Sequence, residues 1–146
     1  MTAQGPPWLD DQQQRTWRAW LAVSELLPRS LDVQLQRDAG ITHPAYVVLA
    51  MLSEAPGRSR RMSELARASN QSQSRLSHTV ARLEDRGWVR RERATDDGRG
   101  NVAVLTEDGR DVAARAGARL NAEVFEALDL DPADADALFG LLARLR

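Results

Sequence analysis

Apolar positions recur along this chain with two periods, one helical and one extended. Trp17, Trp20, Leu21, Ser24 and Leu27 fall at helical spacing, and Leu31, Val33 and Leu35 carry the pattern toward Gly40. Pro28 lies inside that run, so a kink or an interruption is expected there. A second helix is predicted to start at Thr42, an N-cap residue, with Pro44 in its first turn. Val48, Met51 and Leu52 form its apolar positions, and it should stop before Pro56-Gly57. Ser63 is expected to cap a short helix ending near Ser69. Asn70-Gln71 makes a tight turn, and Ser72 caps a longer helix to Arg86 with Leu76, Val80 and Leu83 on one stripe. Gly87 supplies the stop.

From Gly87 onward the period changes. Val89–Arg93 and Asn101–Leu105 read as strands around a glycine-containing loop, and Thr106 with Glu107 and Asp108 opens another helix. Val112, Ala116, Leu120, Val124 and Leu128 form one face of it. After Asp131-Pro132, Leu138, Leu141, Leu142 and Leu145 form a last one. The expected fold is mainly α with a small β-hairpin, in which a helix-turn-helix and hairpin are flanked by helices from both ends of the chain. A length of 146 residues suits one such domain.

Composition removes several functions. With no cysteine there is no disulfide, thiol catalysis, thiol redox switch or cysteine zinc site, and two histidines leave little for a transition metal. The start of the chain has no charged and apolar signal pattern. The longest uncharged run, 39–53, is too short and polar to span a bilayer, so a cytoplasmic protein without membrane contact is expected. The net charge of −1 hides an asymmetry. Residues 58–99 hold eleven arginines against six acids, a balance of +5, whereas the remainder holds nine against fifteen, a balance of −6. A basic middle between acidic ends points to a local surface for a polyanion. All twenty basic residues are arginine.

Two motifs compete for the loop "TDDGRGNVAVLT", residues 95–106. Gly98 to Ala103 satisfies the dinucleotide pattern G-x-G-x-x-(G/A), but that pattern needs a helix after its last position, and Val102–Leu105 favour a strand. Asp96 and Asp97 lack the alternating oxygen ligands of a calcium loop, so no metal and no cofactor is expected. A hairpin turn that exposes Arg99 is the better reading. Upstream, the face opposite Leu76, Val80 and Leu83 presents Ser74, Arg75, His78, Ala81 and Arg82, with Ser72, Gln73 and Ser77 beside them. Such groups bond base edges and phosphates, and double-stranded DNA is the partner they suit. The plain alternative is a solvated helix face. An enzyme built on His43 or His78 has no nucleophile or second base in a motif around it.

The stretch "MSELARASNQSQSRLSHTVARLEDRGWVRRE" with "DDGRGNVAVLTEDGR" resembles the winged helix-turn-helix of the MarR family of bacterial transcription regulators, most strongly over residues 62–110. The family's D-x-R falls on Asp97 and Arg99, its L-T on Leu105 and Thr106, its glycine on Gly109, and its R-L-E-x-x-G on Arg82, Leu83, Glu84 and Gly87. Trp88 stands where the family more often has leucine and reads as a larger core plug. The resemblance implies no enzyme but a homodimeric regulator, a repressor, on a pseudo-palindromic operator. One recognition helix would enter each major groove, with Arg99 in the flanking minor groove and Asp97 bracing the wing. It divides the chain into dimerisation helices at 1–40 and 106–146 and a DNA-binding lobe at 41–105. Lone terminal helices with large apolar faces need something to bury against, either a symmetric partner or each other. Arg58, Arg60, Arg61, Arg90, Arg91 and Arg93 are either phosphate contacts or solvated. The resemblance also implies a small aromatic ligand at the junction of dimer helices and lobe. Trp17, Trp20, His43 and Tyr46 are the candidates to line it, or else ordinary core and interface residues. A winged-helix module that binds protein instead of DNA is the remaining alternative.

Overall fold

The computed structural model describes residues 9–94, 100–129 and 131–144, with the side chains of all but 123–128 among them. Helix α1 (Asp11–Ala39) opens with a capping box, in which the Asp10 carboxylate accepts from the Gln13 N–H and the Gln13 side chain accepts from the Asp10 N–H. It ends at Gly40 in the left-handed region. Pro28 does not interrupt it. Its ring removes only one backbone donor, and the helix is carried past that point by the turns on either side. The buried part of α1 is short: Gln34 and Leu35 are covered, whereas Trp17, Trp20, Leu21 and Val33 are exposed. Val33 therefore lies off the inward stripe.

Thr42 caps α2 (His43–Glu54) as its sequence requires, and Ala45, Val48, Leu49 and Leu52 enter the core. A single 3-10 turn (56–58) leads to β1 (Ser59–Arg61), a strand that the sequence does not announce, and β1 runs straight into α3 (Met62–Ala68). Ser63 is consequently inside α3 and not its cap; Arg61 holds that position, because pairing of β1 fixes the entry. Helix α4 (Gln73–Asp85) is followed by β2 (Val89–Arg93), β3 (Asn101–Leu105), α5 (Glu107–Leu128) and α6 (Pro132–Ala143). The expected hairpin supplies two strands of a three-stranded antiparallel sheet in the order β1-β3-β2, with Arg60 opposite Ala103 and Arg91 opposite Ala103 from the other side.

One core joins the elements. Leu35, Val48, Leu49, Leu52, Leu65, Leu76, Val80, Leu83, Leu105, Val112, Ala116 and Leu120 pack together, with Trp88 half-buried against them. The sheet meets α5 at a close junction. Thr106 donates its hydroxyl to the Gly87 carbonyl at 2.7 Å, accepts from the Gly109 N–H at 3.1 Å, and bonds the Trp88 carbonyl through its own N–H at 3.1 Å. Gly109 lies so near that a Cβ there would sit 2.1 Å from the Trp88 oxygen. By contrast Leu138, Phe139, Leu141 and Leu142 of α6 remain exposed, Phe139 at 73%. Among the described residues no helix is long and apolar enough to cross a membrane.

Because the obstacle at Gly109 is backbone, it cannot swing aside. We expect Gly109→Ala to cost about 2–3 kcal/mol, toward the upper end for overpacking, measured as a lowered denaturant midpoint at unchanged slope. A cost below about 0.5 kcal/mol would mean that α5 is not held against Trp88 in solution.

Candidate nucleic-acid interface

The turn between α3 and α4 is built from short polar side chains. The Ser69 hydroxyl donates to the Leu65 carbonyl at 2.7 Å, and Asn70 adopts a φ of 53°, which asparagine tolerates better than most residues. Gln71 reaches Ser69 with its amide nitrogen at 3.3 Å and receives Thr79 on its amide oxygen at 3.1 Å, so the turn is tied to the body of α4. Ser72 then caps α4, its hydroxyl oxygen accepting from the Arg75 N–H at 3.2 Å.

The cap sets the phase of everything beyond it. Leu76, Val80 and Leu83 are buried, and Ser72, Gln73, Ser74, Arg75, Ser77, His78 and Arg82 are all exposed. Thirteen residues of helix span roughly 20 Å, a length that fits within a major groove. The structure thus gathers all seven sequence-predicted residues on one element, with Ser74, Arg75, His78 and Arg82 along its outer face.

The hairpin beside α4 is present, and its arms are closed where the Ala94 N–H donates to the Gly100 carbonyl at 3.2 Å. Gly100 has a φ of 96°, a conformation that side chains rarely adopt. A strand and not a helix follows Gly100, so this is not a dinucleotide loop. Asp97 and Arg99, like Asp96, lie outside the described residues.

Several neighbouring arginines are already engaged: Arg58 pairs with Glu107, Arg90 with Glu92 at 2.6 Å, and Arg91 with Glu84 at 2.6 Å, so at least three of the six phosphate candidates hold a carboxylate. Two features that sequence reasoning missed lie here. Arg86 places its guanidinium 4.8 Å from the centroid of the Trp88 ring and near Gly40 at the end of α1, linking α4 to α1. Glu84 is the acid of the R-L-E-x-x-G motif, and nothing in that spacing alone assigned it a partner.

The four aromatic-cleft candidates do not converge within the chain. Trp17 and Trp20 are exposed on the first half of α1, where they line a cavity of about 560 Å³ with Leu9 and Thr16. His43 sits at the start of α2, its N–H donating to Asp32 at 2.8 Å, twelve residues or roughly 18 Å along α1 from Trp20. Tyr46 is half-buried and its hydroxyl abuts Gly117 of α5. Burial pushes the Tyr46 phenol up, helped by the nearby Glu54 charge. A different cavity, about 380 Å³, lies between α4 and the α1–α2 connection. Its floor includes Ile41 and Leu83, and Arg75, His78, Arg82, Arg86 and Asp32 are on its walls.

Burial also pushes the His43 imidazole below its ordinary 6.5, with the Asp32 charge opposing. The unfolded chain therefore binds this proton more readily than the folded one. The linked stability is present above about pH 6.5 and is lost as the pH falls through the lower, folded value. Denaturation midpoints should fall between pH 7 and pH 5.5, and His43→Gln should remove part of that slope. An unchanged slope in the variant would sink the assignment.

Comparison with known proteins matches this geometry. A model of the MarR family covers residues 39–100. The solved structure of Sco3205, a MarR family transcriptional regulator from Streptomyces coelicolor in complex with DNA, superposes with a TM-score of 0.88 at 41% identity, covering 97% of this chain and 90% of that one. AbsC, another MarR family regulator of the same organism, gives 0.87 at 39% identity, with 96% and 95% covered. The HTH-type transcriptional repressor Rv2887 of Mycobacterium tuberculosis is 40% identical over 83 residues, which is 57% of this chain. That match spans 58% of the repressor's length, a little over half. A structure of Rv2887 in complex with p-aminosalicylic acid is similar at a TM-score of 0.66 and 28% identity, with 88% and 96% covered.

Proposed function

The chain belongs to the MarR family, and on that premise we propose that it is a sequence-specific DNA-binding transcriptional regulator, a repressor that acts as a homodimer on a pseudo-palindromic operator. The observation that carries this reading is the outer face of α4, where Ser72, Gln73, Ser74, Arg75, Ser77, His78 and Arg82 are exposed together on a helix buried along its other side. Arg75 and Arg82 suit guanine edges or phosphates, and the serines let the helix approach closely. Asp97 and Arg99 complete the interface from the wing, with Arg99 in the minor groove and Asp97 stiffening the loop. The same reading makes the protein a binder and not an enzyme.

Homodimerisation is supported by the exposed apolar faces at both ends of the chain. Trp17 at 53% exposure, Leu26 and Val23 on α1 and Phe139 and Leu141 on α6 are large side chains that a second copy can cover. Residues 1–40 and 106–146 then form the dimerisation region, and 41–105 the DNA-binding lobe. Control by a small aromatic ligand rests on the Rv2887 complex with p-aminosalicylic acid and on the cavity between α4 and the α1–α2 connection. That cavity is preferred to the set Trp17, Trp20, His43 and Tyr46, which one chain does not bring together.

Selection from random DNA should enrich one inverted repeat with half-sites about one helical turn apart. On that site Arg75→Ala should lose about 1–3 kcal/mol and relax base preference, and Arg99→Ala should weaken binding while leaving half-site preference intact. If no repeat is enriched at low salt, the regulator reading fails and a protein-binding winged helix takes its place.

A further inference from the structure

We propose that Glu84 is a positioning residue that clamps the wing to the recognition helix through Arg91, so that Arg91 serves the interface without touching DNA. The inference rests on the DNA-binding reading above and adds a division of labour among its arginines. The Glu84 carboxylate holds Arg91 at three points. One oxygen accepts from the Arg91 backbone N–H at 2.9 Å; the other accepts from Nε at 2.7 Å and lies 2.6 Å from an Nη nitrogen. Two guanidinium nitrogens converge on one carboxylate oxygen while the backbone N–H takes the other, so these charge-assisted bonds fix both distance and orientation. The two side chains are 27% and 34% exposed, better shielded than either partner of the Arg90–Glu92 pair.

The clamp adds a direct tie to α4 on a strand otherwise held by its pairing with β3. Val89 is buried, but Arg90, Arg91, Glu92 and Arg93 are all exposed, so the outer part of β2 has no apolar anchor on α4. Arg91 is paired with Ala103, and through that register the hold on β2 extends to β3. A helix in one groove and a wing beside it bind well only if their separation is set before DNA arrives, since ordering on binding costs affinity.

The sign of one substitution separates this role from a simple charge effect. An acid beside a DNA-binding face repels phosphate, so removing it should strengthen binding if charge is all it contributes. A clamp predicts the opposite. On the operator selected by the unaltered protein, we expect Glu84→Gln and Arg91→Gln each to weaken binding by roughly three- to tenfold, the double variant being no worse than the poorer single one. The log–log salt slope should stay the same in Arg91→Gln, and hydroxyl-radical footprints should keep the half-sites but lose protection at the flanks. Equal or tighter binding by Glu84→Gln overturns the proposal, as does a slope flattened by about 0.9 in Arg91→Gln, the mark of one lost phosphate contact. Thermal melts establish that each variant is folded, and either single variant carries the test if the other is not. If the unaltered protein selects no sequence, the DNA reading itself has failed. Hydrogen exchange of the β2 amides, which Glu84→Gln should accelerate while sparing those of α4, still tests the clamp without DNA; unchanged exchange overturns it.

Discussion

Helix α4 is held in place from one side only, and the rest of the molecule depends on that asymmetry. Leu76, Val80 and Leu83 are withdrawn from water into a core shared with α2, α3 and the sheet. Three buried aliphatic side chains contribute several kcal/mol, far more than any single polar contact on the surface. Once they are fixed, the rotation of α4 is fixed too, and its polar groups face outward because they have nowhere else to go. The Ser72 cap and the Asn70 turn add a start point to this rotation, so the outer face is defined in position as well as in direction.

Charge follows the same economy of contacts. The basic middle of the sequence is not a uniform field, since Glu84, Glu92 and Glu107 each take an arginine at the edge of the interface. Such pairs stabilise the fold little. Their effect is to decide which cations remain for a polyanion, and they lower the indiscriminate attraction that eleven arginines would otherwise exert. The acidic ends of the chain work in the same direction.

Much of this was legible in the sequence because it is local. Thr42, Ser72 and Gly87 mark helix ends by chemistry acting within four residues, and Leu76, Val80 and Leu83 mark a face by their period. The same holds for the exposure of Ser72 at the cap and of the six candidate residues on α4. What the sequence concealed is held together by contacts between distant residues. Strand β1 is three polar residues with no alternation, and it is a strand only because β3 pairs with it. Arg58 and Glu107 are 49 positions apart, and Arg91 meets Glu84 only because the turn at Gly87 folds β2 back along α4. The two tryptophans of α1 show the same limit. Their spacing marks an apolar stripe but not what it packs against, and within one chain it packs against nothing that includes His43 or Tyr46.

The junction of Thr106 and Gly109 with Gly87 and Trp88 has a mechanical consequence. Backbone contact at that point leaves no play, so the first turn of α5 and the lobe that carries α4 form one rigid arm. Helix α5 extends that arm by 22 residues, roughly 33 Å, toward the end of the chain. A tilt of about five degrees at its far end moves the near end by roughly 3 Å, close to the rise of one base pair. In the homodimer proposed above, small repacking among the terminal helices would be geared directly into the separation of the two α4 helices.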